Sequence, residues 1–198
     1  EDCEEVKKYK TKCYNSQRKG LERQASITDY INENNWLEAF YAHHTFEVDF
    51  LMANNAQIVV DIVDQVYTDP DTIALAETEL VSNDVAIGGK RILTMAKQEG
   101  KGWFAILLGS NINFNTAIPT YILQAVQFAT PNINREVITE IFNHRIKERL
   151  ANGDDLDFND FKINLVRYRN REIELPEIID SFETLVLDDR GLDFLRLF

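Results

Sequence analysis

Helical periodicity runs through most of this chain, and only one short segment has the composition of a β-strand. That segment, residues 36–42, is rich in aromatic side chains, which strands favour. A single strand leaves both of its edges without hydrogen-bond partners. The segment therefore completes a sheet whose other strands lie elsewhere, or it is not a strand.

Apolar residues at helical spacing predict amphipathic helices on both sides of this segment. Thr45 is placed to cap one helix, Asp71 or Thr72 to cap the next, and the pair Asn54 and Asn55 to interrupt the first of these. The predicted helices cover residues 26–31 (capped by Ser26), 48–67, 73–80, 90–97, 103–108, 120–128 (with Pro119 before it), 136–150, 159–169 and 176–187.

Charge is distributed unevenly along the 198 residues, whose net charge is −12. Residues 1–25 contain seven basic and five acidic side chains, and they predict either an exposed charged segment or a contact for nucleic acid. We divide the chain into this charged N-terminal segment, a domain over residues 26–130, and a mostly α-helical appendage over residues 131–198.

Composition excludes several classes of protein. No run approaches the ~18 apolar residues of a membrane-spanning helix, so we expect no contact with a membrane. The only cysteines, Cys3 and Cys13, cannot build a disulfide framework, which favours a reducing compartment and predicts a cytoplasmic protein. The sequence begins without Met, so we expect it to be part of a longer protein. The net negative charge requires that DNA, if bound, be met locally or through metal ions.

Common catalytic motifs are absent from the sequence, including phosphate-binding glycine loops and paired Cys-x-x-Cys ligands. His43 and His44 suggest a metal pair, but adjacent residues of a strand point to opposite faces. His144 is the only other histidine. The sequence therefore does not favour a zinc site.

Two carboxylates, Glu47 and Asp49, follow the candidate strand where the next helix begins. Carboxylates at such a junction can hold a hard divalent cation. Their spacing suits one site only if the segment is still extended there, since two residues apart on a helix they diverge by about 200°. The alternative is that both carboxylates interact with the positive end of the helix dipole.

Lys101 stands between Gly100 and Gly102 at the start of an apolar helix. Its ammonium could neutralise a phosphate or act on a metal-bound water. The alternative is a solvated lysine in a turn between two helices.

Three stretches, taken in their order and spacing, resemble the C-terminal part of a TOPRIM module. They are Thr-Phe-Glu-Val-Asp-Phe at residues 45–50, Lys-Gly-Trp-Phe-Ala at 101–105, and Ile-Pro-Thr-Tyr-Ile-x-x-Ala-Val at 118–126. The module is that of the OLD (overcoming lysogenisation defect) family of ATP-dependent endonucleases, relatives of the large subunit of the Gabija anti-phage system. The resemblance covers residues 36–128.

The resemblance implies an α/β fold of the TOPRIM type and a metal-dependent DNA endonuclease of antiviral defence or DNA processing. It implies Glu47 and Asp49 as ligands of Mg²⁺ or Mn²⁺ and Lys101 as the catalytic lysine. The family's preceding Asp-x-Asp strand and its ATPase region are absent from this sequence. The resemblance therefore implies a chain that is inactive alone. Its expected partners are DNA, the missing TOPRIM and ATPase part, a helicase and a second copy of the chain. ATP would act only through the missing ATPase part.

The alternative function is a non-catalytic helical module for interaction or oligomerisation, in which the same residues are caps and turns. The appendage has many apolar residues near its end and predicts either a docking or dimerisation surface or a structural bundle. These residues are Phe182, Leu185, Leu187, Leu192, Phe194, Leu195 and Phe198.

Overall fold

The computed structural model describes residues 7–32, 34, 36–130, 133–186 and 189–198. They form eleven α-helices and a C-terminal 3-10 helix, and no strand forms among them. The predicted α/β fold of the TOPRIM type is therefore wrong, and the fold is all-helical. The helices are α1 (Lys7–Asn32), α2 (Phe46–Met52), α3 (Ala56–Val60), α4 (Val63–Val66), α5 (Pro70–Leu80), α6 (Gly88–Glu99), α7 (Lys101–Ser110), α8 (Thr120–Ala129), α9 (Arg135–Ala151), α10 (Asn159–Arg169), α11 (Leu175–Leu185) and the 3-10 helix (Arg190–Leu197).

The predicted strand at residues 36–42 is an irregular segment leading into α2. Trp36 is 88% exposed, and Leu37 and Tyr41 are also exposed. Aromatic residues favour strands because they pack on a half-buried pleated surface. No neighbouring strand provides such a surface within the described residues, so composition alone was a misleading signal here.

Helix boundaries follow local chemistry. The helix predicted from residue 48 is broken near Asn54, as expected, because Asn54 adopts a left-handed conformation (φ 68°). Helix α5 begins after Asp69, whose carboxylate accepts the backbone N–H of Thr72 at 2.9 Å, and not after Asp71 or Thr72. Ser26 lies inside α1 and does not start a helix.

The chain divides into two compact units. Unit 1 comprises Glu1–Ile112 and Ile118–Ala125, and unit 2 comprises Asn113–Ala117 and Val126–Phe198. This division falls a few residues before the expected boundary at residue 131. Residues 1–6 of the predicted charged segment lie outside the described residues, and the remainder of that segment belongs to α1.

Unit 1 has an aliphatic core in which α6 packs against α2, α5 and α7. Two glycines at the start of α6 allow this approach. A Cβ on Gly88 would lie 3.1 Å from Leu51 Cδ2 and 3.2 Å from the carbonyl oxygen of Glu79. One end of α6 therefore lies against α2, and its other end leads through Gly100 (φ 79°) into α7. Helix α6 thus contacts both α2 and α7.

Unit 2 has an aromatic core. The rings of Phe142, Phe161 and Phe182 pack with centroids 4.9–5.3 Å apart. Leu192 and Leu195, on the 3-10 helix that the sequence pattern did not predict, are buried in the same core. Phe182 is buried in this core as well, and Leu185 and Phe194 pack against it partly buried. Phe198 is 37% exposed, and Leu187 lies outside the described residues.

Candidate functional site

Glu47 and Lys101 meet in unit 1 although 54 residues separate them in sequence. Lys101 Nζ lies 3.1 Å from Glu47 Oε1. The Glu47 side chain is 12% exposed, whereas that of Lys101 is 68% exposed. The structure thus brings together two of the three predicted site residues. The Glu47 carboxylate is largely buried, and the Lys101 ammonium is at the surface.

Two helix N-termini position the pair. Thr45 occupies the N-cap position of α2, as predicted, but its hydroxyl bonds to the Glu47 carboxylate and makes no capping hydrogen bond to the backbone. Glu47 is the second residue of that helix. Lys101 is the first residue of α7, directly after Gly100. Both helices pack against α6, so the close approach of Gly88 and the turn at Gly100 set the separation of the two side chains.

The environment of Glu47 favours its charged form. Burial of the carboxyl raises its pKa, but this effect is outweighed by its own backbone N–H, the Thr45 hydroxyl and the Lys101 ammonium. The pKa of Glu47 is therefore lowered from its ordinary value of 4.5. At neutral pH, the site therefore consists of an ionised, largely buried Glu47 carboxylate paired with the exposed Lys101 ammonium.

Asp49 has different partners from Glu47. Its Oδ2 accepts the backbone N–H of His43 at 2.8 Å, and its Oδ1 accepts that of His44 at 3.2 Å. The Nδ1 of His44 lies 3.1 Å from the same Oδ1. Asp49 thus closes the turn before α2. Because the helix begins at Phe46, residues two apart diverge by about 200° in an ideal helix, and Glu47 and Asp49 have different hydrogen-bond partners.

A divalent metal ion needs more ligands than this arrangement offers. Within the part of the chain that the structure describes, no three His, Cys, Asp or Glu side chains cluster as a metal site would require. Both oxygens of Asp49 are already engaged, and His44 is one of their partners. The described residues alone therefore do not fit a Mg²⁺ or Mn²⁺ site, and that cofactor stays a prediction.

Tyr121 is a further neighbour to which the sequence patterns assigned no role. It lies on the first turn of α8 and is partly buried. Burial raises the pKa of its phenol, and the negative charges of Asp49 and Glu47 raise that pKa further. Tyr121 belongs to the stretch at residues 118–126, and its phenol senses the charges of both predicted carboxylates.

Comparison with protein-family models, with curated proteins and with solved structures finds no match for this chain. Among the described helices, none combines the length and the apolar character needed to cross a membrane.

Proposed function

We propose that this chain contributes the Glu47–Lys101 pair to an endonuclease that hydrolyses phosphodiester bonds in DNA. The observation that carries the proposal is the contact of Lys101 with the half-buried Glu47, which joins two of the three stretches across 54 residues of sequence. Lys101 contacts Glu47 directly, and Tyr121 lies within the electrostatic influence of Glu47 and Asp49.

The position of Lys101 also supports this role. A cation at the N-terminus of a helix faces the positive end of the helix dipole, which is unfavourable. Lys101 occupies that position in α7, and Glu47 offsets the cost. The exposed ammonium and the free N–H groups of the first turn both favour an anion such as a phosphate. In this proposal, Lys101 stabilises negative charge on the phosphate, and Glu47 positions Lys101.

The proposed enzyme is a larger assembly. Because the described residues lack a complete metal site, we propose that the remaining ligands for Mg²⁺ or Mn²⁺ come from another segment or another chain. The same proposal includes the ATPase region and the helicase partner expected from the resemblance. It also includes a cytoplasmic location and a role in antiviral defence or DNA processing.

Plasmid nicking by the full-length gene product tests the proposal. With supercoiled DNA and Mg²⁺ or Mn²⁺, Lys101→Ala is expected to slow nicking by about 10²–10³-fold, the cost of losing one charge-stabilising group. Lys97→Ala is the matched control, because Lys97 is an exposed lysine in the last turn of α6. Equal nicking by wild type and Lys101→Ala, or no nicking by wild type, would contradict the proposal.

A non-catalytic interaction or oligomerisation module is the second candidate. Trp103 and Ile106 are 55% and 57% exposed on one face of α7, although the opposite face packs in the core through Phe104. Helix α8 also has an apolar sequence with no buried side chain. Sedimentation over a concentration series tests self-association: under this candidate the wild type forms oligomers and Trp103→Ser remains monomeric.

A further inference from the structure

Unit 2 contains a groove of about 620 Å³ where the start of α9 meets the end of α10. Three arginines line it: Arg135, Arg169 and Arg171. Such a concentration of guanidinium groups is unexpected in a chain whose net charge is −12. The groove lies in a different unit from the Glu47–Lys101 pair.

The three arginines differ in their partners. Arg135 donates to the carbonyl oxygens of Tyr168 and Ile173 at 2.7 and 2.8 Å and is paired with Glu174. Its guanidinium also lies over the Tyr168 ring, 4.6 Å from the centroid. These contacts hold the Arg135 side chain in place at one side of the groove. The pairing also occupies Glu174, one of the two acidic side chains in the lining.

Arg169 and Arg171 are exposed, and neither has an ion pair within the described residues. Their neighbour Arg167, which does not line the groove, is paired with Glu172. Two guanidinium groups in one groove without carboxylate partners can each donate two parallel hydrogen bonds to a phosphate.

The backbone of Arg171 provides an independent observation. The end of α10 is a Schellman motif, with the N–H of Arg171 bonded to the carbonyl oxygen of Tyr168 at 3.0 Å and that of Glu172 to Arg167 at 2.9 Å. Arg171 occupies the left-handed position of this motif (φ 66°), where glycine is preferred. Helix termination therefore does not explain an arginine at this position.

We propose that Arg169 and Arg171 bind backbone phosphates of DNA. This contact is separate from the Glu47–Lys101 pair, and it depends on the proposed function only in the choice of DNA as the polyanion. A chain with a net charge of −12 repels DNA over most of its surface. A local cluster of arginines would allow binding despite this repulsion.

Fluorescence anisotropy of a labelled DNA duplex in EDTA tests the contact without cleavage. The full-length gene product is compared with Arg169→Gln and Arg171→Gly. Each variant is expected to lose affinity on the order of tenfold at low salt and to reduce the slope of log affinity against log salt by about one. Lys162→Gln is the matched control, because Lys162 is an exposed cation on the same helix outside the groove.

The Arg171→Gly variant separates binding from folding. Glycine relieves the left-handed strain, so we expect a higher melting temperature together with weaker DNA binding. Loss of affinity through unfolding would instead be accompanied by a lower melting temperature, which would overturn this explanation.

Three outcomes would overturn the proposal. They are wild-type affinity in both arginine variants, absence of DNA binding by the wild type, and displacement of DNA by a glutamate-rich peptide as effectively as by unlabelled DNA. None of them decides whether Lys101 is catalytic, because nicking with the Lys101→Ala and Lys97→Ala variants measures that separately.

Discussion

Glu47 is expected to stabilise unit 1 only while its carboxylate is ionised. Because its pKa in the folded protein lies below the ordinary value of 4.5, the stabilisation is complete above about that pH and is lost as the pH falls through the lowered pKa. Glu47→Gln should reduce the free energy of unfolding at pH 7 by about 0.5–1 kcal/mol, since Lys101 is largely exposed.

Urea unfolding of wild type and Glu47→Gln from pH 7 downward checks this expectation, and the two curves should converge in acid. The exposed Glu77 on α5 provides the control, because Glu77→Gln should change stability by less than about 0.5 kcal/mol. A constant difference between wild type and Glu47→Gln at every pH would show that packing, and not charge, accounts for the loss.

Asp189 is a buried carboxylate of unit 2 that lies close to two arginines. Its side chain is fully buried, and its Oδ2 lies 3.4 Å from Arg145 Nε and 3.3 Å from Arg149 Nε. Removing one partner of a buried ion pair costs about 3–5 kcal/mol where the other charge is left uncompensated. Arg145 keeps Glu148 at 3.0 Å and Arg149 keeps Asp154 at 2.9 Å, so we expect the lower end of this range. Asp189→Asn should therefore greatly lower the urea midpoint.

The exposed pair of Asp180 and Arg196 gives the comparison for Asp189. Asp180 is 69% exposed and lies 3.5 Å from Arg196 Nη2. Asp180→Asn should cost under about 1 kcal/mol. If Asp189→Asn and Asp180→Asn have equal urea midpoints, the buried charges are not the source of stability in unit 2.

At the scale of elements, the contact of α6 with α2 and α5 depends on a missing side chain. A methyl group on Gly88 would lie 3.2 Å from the carbonyl oxygen of Glu79, and a backbone atom cannot easily move away. Overpacking of this kind costs about 1–3 kcal/mol, more than the roughly 1 kcal/mol that alanine gains over glycine in a helix. Gly88→Ala should therefore lower the melting temperature.

Gly109 in α7 is the matched glycine, because a Cβ there would meet nothing within 4 Å. Gly109→Ala should raise the melting temperature through helix propensity alone. Opposite shifts for the two glycine variants would support close helix packing at Gly88, and a rise for both would contradict it.

The sequence predicted helices better than it predicted the one strand. Residues 159–169 were predicted as a helix and form α10 with the same limits, because helical periodicity requires only neighbouring residues. The prediction of a strand at residues 36–42 required a partner strand, and composition does not reveal whether one is present. The 3-10 helix was missed because its apolar residues have no long periodic run.

The candidate site shows the same contrast: sequence patterns identify residues, but they do not show which distant residues come into contact. The resemblance led to Glu47 and Lys101, and their contact depends on packing around α6, which no spacing rule contains. Asp49 was assigned to the same metal site, but the early start of α2 rotates it toward His43 and His44. A start two residues earlier than predicted decides where a carboxylate points, and sequence patterns locate helix ends least accurately.

At the scale of the whole molecule, the two units differ in how they are stabilised. Unit 1 is built largely from aliphatic side chains, and unit 2 from a cluster of phenylalanine rings. The candidate catalytic pair belongs to the first unit and the arginine groove to the second. The two proposals can therefore be tested with variants whose effects on folding are confined to different cores.

Hydrogen exchange can check that the cores are separate. Phe142 is fully buried, with its ring 5.3 Å from those of both Phe161 and Phe182. Phe142→Leu removes these ring contacts and should cost about 1–2 kcal/mol, which accelerates exchange of the most protected amides of α9, α10 and α11 by about 5–30-fold. The exposed Val137 on α9 gives the control variant Val137→Ala. Because unit 1 has its own core, its amides should exchange at wild-type rates, and equal acceleration in both units would mean that the cores unfold as one.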